Sequence, residues 1–245
     1  MTDEIEFRTC PIRHITRQAF FTISTNQPSA SGLYPAVKCI WLPLREETRY
    51  LTQRYFLDIN YFHHIIHMPT LKAKIEKLYD DLDAGRPPQK DVVLLLLSLI
   101  ANVCFQWSPS EDARCHFIDA SVANSQAVSW IKAGMDVTDH VQRLALASIE
   151  CVQGMAVLFF VTFMMEGFSR RGGHLMSCAI NMARNLGLHT IDKTGSGLGR
   201  ALTQEMSPVQ KEIGRRIMWY LAATDWQVKQ LFQMQTRAYN MLTNL

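Results

Sequence analysis

Nowhere in these 245 residues does Cys-x-x-Cys occur, which removes the ligand spacing of zinc fingers and ribbons and the thioredoxin-type dithiol. The six cysteines are scattered. Cys104, Cys151 and Cys178 fall in apolar helical patterns, where they read as small buried hydrophobes of a reducing compartment. An excess of one charge is also missing. Twenty-five Lys and Arg against 22 Asp and Glu leave +3, too little for a chain whose whole surface binds nucleic acid. No early apolar stretch follows the acidic start at residues 1–6, so a signal peptide is not expected. The two longest apolar runs, residues 92–105 and 151–165, fall short of a ~30 Å hydrocarbon core at ~1.5 Å per residue and read as buried helices.

Catalytic motifs are equally scarce. There is no Gly-x-Ser-x-Gly elbow, and no cysteine sits in a local nucleophile signature. Gly195-Ser196-Gly197-Leu198-Gly199 follows no strand and lacks the Gly-Lys-Ser/Thr ending of a phosphate loop, so it reads as a connection. Asp80 and Asp81 occupy adjacent helix positions that face apart, which is no arrangement for a carboxylate dyad.

What is present is apolar and helical. A hydrophobic fraction of 48% excludes disorder as a description of the whole chain, and the length supports a sizeable core. Residues 1–49 show no clean period and are expected to be irregular, with at most a short strand or helix. Helical periodicity then predicts segments at 46–61, from Thr70 to Gly85, and from Asp91 to Phe105. Ser108-Pro109-Ser110-Glu111 reads as a capping box opening a helix that carries Phe117, Val122 and Trp130 and stops near Gly134, before a polar connection at 136–139. Ser148 starts a second very apolar helix that ends at Gly167, and Gly172-Gly173 separates it from a helix over 174–186. Gly187 sits where a left-handed residue closes a helix, with Leu188 packing back. Ser207-Pro208-Val209-Gln210 repeats the capping box before the last helix, whose face is Ile213, Ile217, Tyr220 or Leu221, Thr224, Val228 and Leu231. No strand is expected after residue 50. The fold class is all-α, built around two very apolar central helices.

Two charged or titratable groups invite a function. His63 and His67 are spaced i,i+4 and would face one metal on a helix, with His64 beside them. The glutamate of the metalloprotease helix is missing and Pro69 follows, so a packed or hydrogen-bonded cluster is the default; a helical enzyme or metal-binding protein using these three is the alternative. Arg170-Arg171 reads as a cationic helix end, and Arg215 and Arg216 follow Glu212 at spacings that favour intrahelical pairing. Asp225 is too far along to join them and is expected to meet a neighbouring helix.

The run Ala183-Arg184-Asn185-Leu186-Gly187-Leu188-His189, then Glu212-Ile213-Gly214-Arg215-Arg216-Ile217-Met218-Trp219-Tyr220-Leu221 and Asp225, resembles the signature of the fungal-specific transcription factor domain. Tyr55-Phe56 followed by His64-Ile65-Ile66-His67-Met68-Pro69-Thr70 is similar to that family's opening helix and turn, and Ser148-Ile149-Glu150-Cys151-Val152-Gln153 to the helix before Leu-Gly-Leu-His. The family is the central regulatory region of fungal binuclear zinc-cluster transcription factors. The resemblance implies a nuclear, non-enzymatic, all-helical domain over residues 50–226 that modulates RNA polymerase II transcription through protein contacts or an effector. It transfers only structural roles, to His64, His67, Pro69, Leu186, Gly187, Leu188, His189, Glu212, Arg215, Arg216, Trp219 and Asp225.

The implied partners are other transcription-regulatory proteins, a second copy of the chain, and an apolar small molecule held between helices. That effector is suggested by the methionines and aromatics of residues 155–168 and 176–182, for which plain core packing is the competing account. DNA would be contacted only through a module not present in this chain, and no membrane partner is expected. The family's zinc cluster needs six cysteines with two Cys-x-x-Cys pairs, so no cofactor is expected here. The pattern breaks after Asp225-Trp226, and residues 227–245 read as a divergent helical extension of a domain truncated at its C-terminus.

Overall fold

The computed structural model of the chain describes residues 5–15, 23–24, 36–112, 118–192 and 205–243. Helices dominate: α1 (Arg45–Asp58), α2 (Asn60–His63), α3 (Met68–Asp83), α4 (Lys90–Phe105), α5 (Pro109–Asp112), α6 (Ala120–Arg143), α7 (Ile149–Glu166), α8 (Arg170–Asn185) and α9 (Pro208–Thr243). The protein is all-α, with a small sheet added near the N-terminus.

Helices α4 and α7 form the centre because they are apolar on nearly every side, and a helix of that kind must be surrounded. Every residue from Val92 to Cys104 is buried, with α6 and α7 packed along α4 and α8 closing the far side of α7. Several polar side chains in this interior donate to backbone carbonyls. Ser98 Oγ and Thr162 Oγ1 return their protons to carbonyls one turn back, and Asn102 Nδ2 reaches across to the Val157 carbonyl at 3.0 Å. The close approach of the two helices depends on Gly154, where a Cβ would lie 2.8 Å from Leu94 Cγ and 3.0 Å from the Leu95 nitrogen. With its flanks, α7 is 18 residues, longer than the apolar run alone suggested, and long and apolar enough to cross a membrane by length and composition. Burial between α4, α6 and α8 accounts for that apolarity here.

The N-terminal segment is more ordered than its lack of period predicts. Strand β1 (Ile5–Thr9) runs parallel to β3 (Ala36–Leu42), Ile5 opposite Lys38 and Thr9 opposite Leu42, while β2 (Ile23–Ser24) pairs antiparallel on the other edge. Contacts distant in sequence hold it. Buried Glu47 accepts the Ile12 and Leu44 N–H groups at 2.9 Å each, and Gln126 Nε2 donates to the Ile12 and Ile15 carbonyls at 2.9 and 2.7 Å. After residue 50 there is no strand among the described residues.

Several boundaries move. Ser108 and Pro109 open only the short α5, with Ser108 Oγ bonded to Ser110 Oγ, and Phe117 lies outside the described residues. Helix α6 starts instead at Asp119, whose carboxylate accepts the Val122 N–H, and runs through Gly134 and the 136–139 stretch to Arg143. Gly134 is a packing residue rather than a stop, since a Cβ there would lie 2.9 Å from Leu158 Cδ2. Asp136 pairs with Lys38 of β3 at 2.5 Å. Likewise Gly172-Gly173 sits inside the first turn of α8, which Ser169 caps by accepting the Gly172 N–H. Arg170 and Arg171 therefore stand at a helix start, where the dipole disfavours cations; Arg171 is paired with Glu166. Cys104 and Cys151 are buried as read, but Cys178 is only half-buried.

Candidate functional site

The segments that resemble the fungal signature come together around α9. The end of α8 closes on Leu186, after which Gly187 adopts φ 72° and its N–H bonds the Arg184 carbonyl at 2.9 Å. That left-handed residue turns Leu188 inward to a buried position and leaves His189 exposed. Opposite, Gly214 of α9 lets this corner seat closely, because a Cβ there would lie 2.5 Å from Ile191 Cδ1 and 3.2 Å from Leu188 Cδ2. Arg215 fastens the corner from outside, with Nε 2.8 Å from Asp192 Oδ1 and Nη1 3.2 Å from Glu212 Oε2. Arg216 Nε holds the other Glu212 oxygen at 2.9 Å, so the intrahelical pairing expected of both arginines is present. Both arginines depress the Glu212 carboxyl from its ordinary value.

Beside this corner runs a shallow groove of about 410 Å³ lined by Leu188, His189, Ile191, Arg215, Met218 and Trp219. Trp219 is 78% exposed, so it is a surface residue and not part of the core. Asp225 is half-buried on the same helix. The reciprocal cap that starts α9 is present as read: Ser207 Oγ accepts the Gln210 N–H at 3.2 Å and Gln210 Oε1 accepts the Ser207 N–H at 2.8 Å.

The histidine cluster does not assemble. Helix α2 stops at His63, and His64 takes a left-handed φ of 49° with its ring exposed. His67 is the residue before the first turn of α3, just before Met68-Pro69, and its Nδ1 is hydrogen-bonded to Thr70 Oγ1 at 2.8 Å. His63 turns inward to Tyr55 Oη, 2.9 Å from its Nδ1, and burial drops its pKa to about 4. The helical register that would aim His63 and His67 at one ion is broken between them, and among the described residues no group of three or more His, Cys, Asp or Glu could hold a metal. Cys115 lies outside the described residues. Cys39, Cys104 and Cys151 are buried on different elements, and burial pushes the thiols of Cys104 and Cys151 up to about 12. The Gly195–Gly199 stretch lies outside the described residues.

His67 nonetheless belongs to a cleft of about 260 Å³ that it shares with Lys74, Ile149, Glu150, Gln153 and Ile213, Lys74 being paired with Glu150. The turn after α2, the start of α7 and the start of α9 are thus three walls of one cleft, though more than a hundred residues separate the first from the last.

The chain is similar in sequence to other proteins. Over 227 residues, 92% of its length, the chain is 32% identical to the probable transcription factor lepB of Aspergillus flavus. It is 27% identical over 189 residues to the transcription factor TAS2 of Pyricularia oryzae, and 27% identical over 185 residues to the agnestins biosynthesis cluster transcription factor AgnL11 of Paecilomyces divaricatus, each match covering 76% of the chain. These relatives are named fungal transcription factors, lepB as a probable one. The chain spans 40%, 24% and 26% of their respective lengths. No family model matches it, and no solved structure does.

The methionines and aromatics that suggested an apolar effector divide between two places. Met155, Met176 and Met182 are core residues, in line with plain packing, but Phe160 and Phe163 are half-buried and open on a separate cavity of about 210 Å³ with Phe62, Phe159, Tyr220 and Val228. The aromatic spacing Phe159, Phe160, Phe163 at the end of α7 is visible in sequence; Phe62 and Tyr220 are brought to it by the turn at α2 and by α9.

Proposed function

We propose that this chain is the regulatory region of a fungal transcription factor, modulating RNA polymerase II transcription in the nucleus without catalysis. The similarity of nearly the whole chain to a protein named a probable transcription factor carries this reading. The gathering of the Leu-Gly-Leu-His and Glu-x-Gly-Arg-Arg segments into one corner supports the finer assignment to the central regulatory domain over residues 50–226. In this reading the family's zinc cluster and its DNA contact belong to a module other than these residues. The domain acts through other regulatory proteins, through a second copy of itself, or through an apolar effector.

The test is a tethered reporter. Residues 1–245 fused to a heterologous DNA-binding domain are expected to change reporter transcription in a fungal host, and a fluorescent fusion of the full-length protein is expected in the nucleus. An unaltered reporter, together with an unaltered transcript profile on deletion of the gene, refutes the regulatory role.

A further inference from the structure

The aromatic cavity between α2, α7 and α9 carries more than packing requires. Phe62 and Phe160 face each other at 5.5 Å between centroids, and Phe159 stacks on Phe163 at 6.0 Å. Tyr220 closes one wall, and among the described residues the other polar side chains lining the cavity are the uncharged Thr224 and Gln227. A site without a charged group rejects ions, which would lose their hydration for nothing. Its faces and edges suit another π system.

Size narrows the occupant. An apolar cavity of ~150 Å³ accepts benzene, and sites for drug-sized ligands run from ~300 Å³ upward. At about 210 Å³ this one has room for a ring with a substituent or two fused rings, and none for the helix of a partner protein.

A second observation points the same way. His63 is 4% exposed, and with Nδ1 committed to Tyr55 its Nε2 has no hydrogen-bond partner. Its ring lies 4.8 Å from Phe160 and 5.4 Å from Tyr220, both walls of the cavity. A buried nitrogen left unpaired is costly, and here its ring packs against two residues of the cavity wall.

We propose that this cavity binds a flat, uncharged small molecule of one or two fused rings bearing a hydroxyl. The rings lie among Phe62, Phe160, Phe163 and Tyr220. A hydroxyl that displaces the Phe160 ring from His63 gives Nε2 its missing partner. Tyr220 adjoins Trp219 in the chain, so occupancy reaches the helix turn that forms the groove at the α8–α9 corner. Only that consequence for transcription rests on the regulatory reading; binding stands by itself.

Isothermal titration of the 245-residue chain with 2-naphthol tests it. Saturable one-to-one binding is expected for the wild type and for Val209→Phe, which alters the His67 cleft instead. Val228→Phe, filling the aromatic cavity, is expected to weaken binding at least tenfold with an unchanged circular dichroism spectrum; should it fail to fold, Thr224→Leu is read in its place. No saturable heat up to millimolar 2-naphthol, or equal affinity in the filled variant, overturns the site. A chain that binds nothing yet alters the reporter loses the site and keeps the regulatory role; binding with a silent reporter does the reverse.

Discussion

Gly154 offers the sharpest test of how the core is built. In the middle of a helix, Gly→Ala is normally favourable by ~0.8–1 kcal/mol, because alanine has less backbone freedom to lose. At this position the new methyl would stand 2.8 Å from Leu94 Cγ and 3.0 Å from the backbone nitrogen of Leu95. Carbon atoms settle at ~3.5–4.0 Å, and a helix backbone cannot swing aside as the tip of a side chain can. Helices α4 and α7 would have to part, and overpacking of this kind costs ~1–3 kcal/mol. Gly154→Ala is therefore expected to destabilise by up to a net ~2 kcal/mol, a fall in Tm of up to ~8 °C at ~2–4 °C per kcal/mol for a domain of this size. Gly173→Ala is the internal control. It lies in the first turn of α8 with nothing within 4 Å of its Cβ position, so it should stabilise by ~0.5 kcal/mol. Thermal and urea unfolding of the two variants read the sign directly. If Gly154→Ala raises Tm as Gly173→Ala does, the close approach of α4 and α7 is not what this glycine serves.

Removing the Glu47 carboxylate leaves two N–H groups without their acceptor, so Glu47→Ala should cost ~2–3 kcal/mol and speed amide exchange at Ile12; unchanged exchange there would count against the anchor. His63 titrates near 4 when folded against 6.5 in the unfolded chain, so between those values only the unfolded chain takes up the proton. Its contribution is complete above pH 6.5 and lost as pH falls toward 4, on the order of 3 kcal/mol in all, and His63→Phe should flatten the stability–pH curve in that window. An identical slope in the variant refutes this. Ser148→Ala removes the acceptor for the Cys151 N–H and should cost ~1 kcal/mol by urea midpoint, with Ser148→Asp restoring it; a midpoint that does not move would show the cap to be idle.

The reading of the candidate site from sequence succeeded where chemistry is local. The Ser207–Gln210 box and the arginine pairs on Glu212 involve residues three or four apart on one helix, so spacing alone predicts them. For the histidines the default of packed or hydrogen-bonded side chains matches the bonds of His63 to Tyr55 and His67 to Thr70, while the i,i+4 metal alternative lacks its geometry because α2 ends between His63 and His67. Trp219, grouped with structural residues by resemblance, stands in solvent beside a groove.

By itself the sequence determined the two apolar central helices, the caps at Ser148 and Ser207, and the left-handed stop at Gly187. Each follows from side chains within a turn or two of one another. Only the tertiary structure decided the rest. A glycine stops a helix or lets two helices touch according to what lies opposite, and Gly134, Gly154 and Gly172 all proved interior. Strands β1 and β3 pair residues some 33 apart, and the anchors Glu47 and Gln126 are further off still. The aromatic cavity needs three separate elements at once, and no periodicity along one of them can reveal a space that exists only between all three.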